Sequence, residues 1–127
     1  MEQDKKWEWE KDKKFVLTWM ENNCPGVKNA KTRRKILPFV NMDDRRFRAI
    51  VSELKHENHI ASTSSRGYWH VPLVTTDPGE IEAVLESCFE TKSRALDQLV
   101  DCDKNIKFWL DRKCVIEQGQ REMELVG

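Results

Sequence analysis

The clearest hydrophobic pattern in the chain lies between residues 41 and 58. Four apolar residues recur there at three- and four-residue spacing, as on one face of an α-helix: Phe47, Ile50, Val51 and Leu54. Asp43 can accept a backbone N–H at the start of this helix, and Asn58 tolerates the left-handed turn that ends one. The pattern predicts an amphipathic helix between Asp43 and Asn58.

Two short extended runs follow this helix. Residues 59–63 and 67–71 flank a small polar tip, Ser64-Ser65-Arg66, and Gly67 supplies the conformational freedom that a tight turn needs. The pattern predicts a β-hairpin. A helix that leads directly into a hairpin, with cations on both, is typical of a recognition helix followed by a wing.

The chain before residue 41 predicts two shorter helices. Residues 13–22 carry apolar side chains at helical spacing, and Thr32 is a candidate N-cap for a second helix over residues 33–37. Pro38 lacks an amide, so the second helix is expected to be short, kinked or displaced. Residues 1–11 hold two tryptophans at alternate positions and are expected to form a short strand or a frayed arm.

Residues 80–112 show a sustained heptad pattern. Its seam positions are Ile81, Leu85, Cys88, Ala95, Leu99, Cys102, Ile106 and Trp109, with Lys92 among them. One continuous helix is possible, and so is a helical hairpin with a break near Asp101 and Asp103. A second copy of the chain or the chain's own domain must cover the seam; a lysine that specifies register favours a homodimer.

The fold class predicted from these patterns is mainly α with a small β-hairpin wing (α+β): a winged helix-turn-helix followed by a long C-terminal helix or helical hairpin. Its expected parts are an N-terminal arm (1–11), the winged domain (12–73), a helical dimerisation segment (80–112) and a partly ordered tail (113–127).

Three short stretches together resemble a family of winged helix-turn-helix proteins from phages and prophages. They are Asp43–Leu54 (DDRRFRAIVSEL), Ile60-Ala61-Ser62 and Gly67-Tyr68-Trp69. The resemblance covers roughly residues 30–100 and implies a DNA-binding fold. The chain departs from the family at Pro38 and at Met42-Asp43, where a Leu-Ser pair is usual.

The charge is unevenly distributed although the net charge is zero. Residues 28–48 hold eight Lys or Arg against two Asp, a net charge of +6, whereas residues 77–127 hold twelve acids against seven bases, a net charge of −5. Such a split lets one basic face meet a polyanion while the acidic half stays away from it. The alternative is that these charges only solvate the surface.

The candidate DNA-binding residues lie on the predicted helices and the hairpin tip. Side chains on the outside of the main helix are expected to enter a major groove: Arg45, Arg46, Arg48, Ala49 and Ser52. The expected phosphate contacts come from Arg33, Arg34, Lys35 and Arg66, and the alternative for Arg66 is insertion into the minor groove. Ser64 and Ser65 at the hairpin tip complete the candidate DNA-binding set. The alternative is that Arg45 or Arg48 pairs with Asp44 or Glu53 on the surface.

Other classes of function find little support in the sequence. It has no glycine-rich phosphate loop, no cluster of metal ligands and no nucleophile with a spaced base, so no enzymatic activity and no cofactor are expected. The four cysteines form no CxxC pair and are expected to be reduced. No run is apolar enough to span a membrane, and the polar N-terminus does not resemble a signal peptide, so a cytoplasmic protein is expected.

The sequence therefore predicts a duplex DNA-binding protein, a transcription-type regulator or an accessory factor, that works as a homodimer. The rival hypothesis is a phage-encoded inhibitor or adaptor that binds another protein through the same scaffold.

Overall fold

A computed structural model describes residues 2–72 and 74–126; positions 1, 73 and 127, at the limits of the expected arm, winged domain and tail, lie outside the described residues. The chain is mainly helical with a small two-stranded antiparallel sheet, as predicted. The main elements are α1 (Glu2–Asn23), α2 (Arg33–Val40), α3 (Asp44–His56), β1 (Ile60–Thr63), β2 (Gly67–His70) and α4 (Pro78–Val126). They form two compact units, residues 1–90 and residues 91–127.

Helix α1 is longer than predicted, because residues 2–11 of the expected separate arm are part of it. No glycine or proline interrupts residues 2–23, and lysine and glutamate are good helix formers. The alternate spacing of Trp7 and Trp9 suggested a strand, but Trp9 instead donates its indole N–H to Glu53 on α3 at 2.8 Å. This long-range contact fixes the helix where a frayed arm was expected.

Helices α1, α2 and α3 enclose the main core of the first unit. The four apolar residues predicted to face the interior of α3 are all buried, together with Val16 and Met20 of α1 and Ile36 and Val40 of α2. Asn41 ends α2 in the left-handed conformation at φ 48°. Asp43 then caps α3 by accepting the backbone N–H of Arg46 at 2.7 Å. A three-residue turn thus joins the two helices.

Pro38 lies inside α2 and does not end it. The helix begins after Thr32, whose side chain makes no cap hydrogen bond, and continues past the proline to Val40. An intrahelical bond from position 38 would reach only the carbonyl of Arg34, so the proline removes one bond from a helix of two turns. The prediction of a short helix is confirmed; its expected end before the proline was wrong.

The hairpin pairs Ile60 with His70 and Thr63 with Gly67. Lys31 pairs with the outer edge of β2, because its N–H donates to the Tyr68 carbonyl at 3.0 Å and the Tyr68 N–H donates to its carbonyl at 2.8 Å. Gly67 has φ +93°, and a Cβ there would lie 2.3 Å from the Lys31 carbonyl oxygen. Glycine is therefore required at this position by conformation and by space.

The first turns of α4 cover the other edge of the hairpin. Glu80 is buried; one of its oxygens accepts the indole N–H of Trp69 at 3.0 Å and the other accepts the backbone N–H of Val27 at 2.8 Å. Further along the helix, the backbone N–H of Ser62 on β1 donates to Ser87 Oγ at 3.0 Å. A polar stripe of α4, rather than its predicted apolar seam, thus faces the hairpin.

The second unit, residues 91–127, is described as helix as far as Val126. The break considered near Asp101 and Asp103 is not observed, and the tail predicted to be partly ordered from residue 113 is helical. No glycine or proline occurs between residues 80 and 118, and aspartate inside a helix costs only about 0.7 kcal/mol relative to alanine. Among the described residues, no helix is both long and apolar enough to cross a membrane.

Candidate nucleic-acid interface

One face of α3 is exposed along its whole length. It holds residues at positions i, i+4, i+7 and i+11 of the helix: Arg45, Ala49, Ser52 and His56. Arg48 borders this stripe, and its side chain is 58% exposed. Since the apolar face of the same helix is buried, α3 is held by one side and presents the other to solvent.

Arg45 is the cation on this face with the fewest polar contacts. Within residues 2–72 and 74–126 the structure gives its guanidinium no hydrogen bond and no ion pair. An arginine in the first turn of an exposed helix can fork onto the O6 and N7 atoms of guanine when the helix enters a major groove.

Asp44, next to Arg45, forms ion pairs with two other arginines. Its Oδ2 lies 2.9 Å from Arg48 Nη2, and its Oδ1 lies 2.7 Å from Arg33 Nε on α2. The second contact is an ion pair without an aligned hydrogen bond. Asp44 thus joins the starts of α2 and α3, and its pairing with Arg48 is the surface contact considered as the alternative to base readout. Both arginines remain substantially exposed, so these pairs contribute under about 1 kcal/mol each.

Arg46 occupies a different side of α3 from Arg45. Its Nε lies 2.7 Å from Asp12 Oδ2 on α1, and its guanidinium stacks over the Trp9 ring at 5.3 Å from the centroid. The structure therefore separates Arg46 from the exposed stripe and gives it two partners on α1.

The remaining predicted cations of α2 are exposed. Arg34 and Lys35 lie in its first turn and have no ion-pair partner in the part of the chain that the structure describes. With Arg33 they form a basic group at the start of α2, adjacent through Asp44 to the start of α3.

The predicted wing residues are already engaged by α4. The Ser64 backbone N–H and hydroxyl both donate to the Glu90 carboxylate, at 3.1 and 3.0 Å. Arg66 Nη1 lies 2.5 Å from Glu86 Oε2. Ser65 is exposed, with its hydroxyl 3.4 Å from that of Thr63. The tip donors that were expected to meet phosphate thus bind carboxylates of the same chain.

Two features were not predicted from the sequence: the position of His56 on the exposed face of α3, and the polar stripe of α4 that faces the hairpin. His56 is the last residue of α3, and its spacing from Arg45 and Ser52 places it on their face. The residues of α4 that hold the hairpin, Glu80, Ala83, Ser87 and Glu90, also recur at three- and four-residue steps. That period was available in the sequence, but most of its members are polar and were not read as a packing face.

The predicted dimerisation residues are all exposed. Ile81, Leu85 and Cys88 are not covered within the first unit, and the others lie on a single helix in the second: Ala95, Leu99, Ile106 and Trp109. The side chains of Ile81 and Trp109 are 46% and 66% exposed. Large apolar side chains in such a row are typical of an interaction surface.

Among the described residues, the cysteines form neither a disulfide nor part of a metal site. All four are free thiols, and Cys24 alone is buried. Burial raises the pKa of the Cys24 thiol, with a smaller opposing effect of Lys31. Across residues 2–72 and 74–126, no group of three or more His, Cys, Asp or Glu is placed to hold a metal ion.

Comparison with protein-family models, with curated proteins and with solved structures found no match to this chain.

Proposed function

We propose that this protein binds duplex DNA as a winged helix-turn-helix protein, with α3 as its recognition helix. The order of elements supports this proposal: α1, a strand-like pairing at Lys31, α2, α3 and then the two strands of the hairpin. A three-residue turn with a left-handed residue joins α2 to α3, as in helix-turn-helix motifs.

The exposed stripe of α3 is the observation that carries the proposal. It combines an arginine that has no partner among the described residues, at the N-terminal end, with a small residue, a hydroxyl and an imidazole. These groups are able to contact base edges. Arg33, Arg34 and Lys35 stand beside it as phosphate contacts, which fix register without reading sequence. Arg46 is not part of the proposed surface, because α1 holds it.

We also propose that the apolar face of α4 binds a second copy of this chain. Leu99, Ile106 and Trp109 are more than half exposed, and a solitary helix in water is stabilised by packing such a face. A homodimer would present two recognition helices to two half-sites. Light scattering should then give twice the mass of one chain for the wild type. The Leu99→Asp/Ile106→Asp variant should give the mass of a single chain.

The test of DNA binding is a salt series on mixed-sequence duplex. Each phosphate neutralised by the protein adds about −0.9 to the slope of log K against log salt concentration. Arg45→Ala/Arg48→Ala should weaken binding roughly 5- to 150-fold, corresponding to about 1–3 kcal/mol, and make the slope shallower by up to about 2. The matched control, Arg112→Ala/Arg121→Ala, removes the same charge from exposed positions of α4 and should bind as the wild type does.

A protein-binding inhibitor or adaptor is the second candidate. Two features favour it: the net charge is zero, and acidic side chains of α4 occupy the wing tip. Such a protein should show little duplex affinity at any salt concentration, and Arg45→Ala/Arg48→Ala should then leave its function unchanged.

A further inference from the structure

The tip of the hairpin is built as an anion site. A backbone N–H and a hydroxyl from Ser64 converge on one carboxylate, and the Arg66 guanidinium binds a second carboxylate one helical turn away. Backbone amides, serine hydroxyls and arginine are also the donors with which DNA-binding proteins hold phosphate oxygens. Glu86 and Glu90 therefore stand where two phosphate groups of a nucleic-acid backbone would bind.

These carboxylates lie on a part of α4 that is anchored to the hairpin. The same face of the helix is anchored at Glu80, which is buried against Trp69, and at Ser87, which accepts the backbone N–H of Ser62. The anchoring groups are buried, but the Arg66 and Glu86 side chains are 43% and 47% exposed. The helix thus holds its carboxylates at the tip through contacts that solvent and competing anions can reach.

We propose that Glu86 and Glu90 occupy a phosphate-binding site at the wing tip, and that duplex DNA must displace them before the wing contributes to binding. We call this contact the wing clamp. It rests on the proposed DNA-binding function and adds a regulation to it: while the clamp is closed, α3 and the start of α2 bind DNA alone, and when it opens Arg66 adds a phosphate contact.

The size of the effect follows from the exposure of the clamp. An exposed ion pair contributes at most about 1 kcal/mol, which is roughly a fivefold change in an equilibrium constant. Breaking the clamp should therefore strengthen duplex binding about fivefold rather than create it. Because the freed Arg66 neutralises one more phosphate, the slope of log K against log salt concentration should steepen by about 1.

The test compares Glu86→Ala/Glu90→Ala with Glu82→Ala/Asp101→Ala. Both pairs remove two acids from α4, and alanine keeps the helix. Glu82 and Asp101 are exposed, and the structure gives neither of them a hydrogen bond or an ion pair within the described residues. The clamp variant should gain affinity and slope beyond the control pair, and adding Arg66→Ala should remove that gain. Equal affinities for the clamp variant and the control would overturn the proposal.

A second measurement separates the clamp from the DNA-binding function. The Ser64 amide, which Glu90 holds, should exchange with solvent several-fold faster in the clamp variant than in the control without any DNA present. If exchange accelerates while no variant binds duplex at any salt, the DNA-binding function fails and the wing clamp as a barrier to DNA fails with it. If the wild type binds duplex and Ser64 exchange is unchanged by the variant, only the clamp is overturned.

Discussion

The hairpin and the α1–α3 pair are both held by polar contacts, but the contacts differ in burial. On the hairpin, the Glu80 carboxylate is 5% exposed and Gly67 lies against the Lys31 backbone. Between α1 and α3, Lys13, Glu53 and Arg46 make partly buried contacts, which solvent can still reach and weaken. Replacing a group in the first region should therefore cost more stability than replacing one in the second.

The largest effect is expected at Gly67 of the hairpin. In Gly67→Ala the alanine must adopt a positive φ, and its Cβ would lie 2.3 Å from the Lys31 carbonyl oxygen. The pairing of Lys31 with β2 must therefore shift. We expect a loss of about 3–5 kcal/mol in the free energy of unfolding, measured by urea denaturation. Gly119→Ala is the control: its Cβ meets no atom within 4 Å, and it should not destabilise the protein. Equal stability of both variants would refute the close approach at Gly67.

Glu80→Ala should have the next largest effect. It leaves the buried Trp69 indole N–H and the partly buried Val27 backbone N–H without their acceptor. A buried unsatisfied donor costs about 1–3 kcal/mol, and the partly exposed Val27 N–H costs less, so a loss of about 2–4 kcal/mol is expected. Glu82→Ala, two residues further along the same helix and exposed, should change stability by under about 0.5 kcal/mol. The Trp69 fluorescence should shift to longer wavelength only in the Glu80 variant.

Arg45 and Arg46 allow a sharper test, because adjacent arginines of one helix have opposite surroundings. Arg46→Ala removes the contacts with Asp12 and Trp9 and should cost about 1 kcal/mol of stability. Arg45→Ala should leave the free energy of unfolding unchanged. Duplex affinity, measured on folded protein, should fall in the Arg45 variant and not in the Arg46 variant. The reverse order of affinities would show that α3 meets DNA through the side that now faces α1.

How much of this structure the sequence could predict depends on the kind of contact. The buried face of α3, its Asp43 cap and the hairpin were predictable, because hydrophobic period, capping and turn chemistry act locally. The partners of Arg46 and Arg66 were not, because Asp12 and Glu86 lie 34 and 20 residues away in sequence. A sequence lists charges, but only the tertiary fold decides which charges meet.

The smallest effect is expected from the titration of the α1–α3 contact. Hydrogen bonds from the Lys13 ammonium and then from the Trp9 indole lower the pKa of Glu53, and the bond to Glu57 is the main reason that the pKa of Lys13 is raised. A lowered glutamate pKa means that the stabilisation is present above the unfolded value of about 4.3 and is lost as pH falls through the folded value. For Lys13 the sign is opposite, so its stabilisation is lost as pH rises beyond about 10.4.

Glu53→Gln isolates this contribution, since glutamine can still accept the Trp9 indole N–H but carries no charge. The wild type should be more stable than the variant at pH 7, and the difference should shrink between about pH 5 and pH 3 as the carboxylate is protonated. Urea denaturation of both proteins at pH 7, 5, 4 and 3 measures it. A difference that stays constant over this range would mean that the Lys13–Glu53 contact contributes nothing through charge.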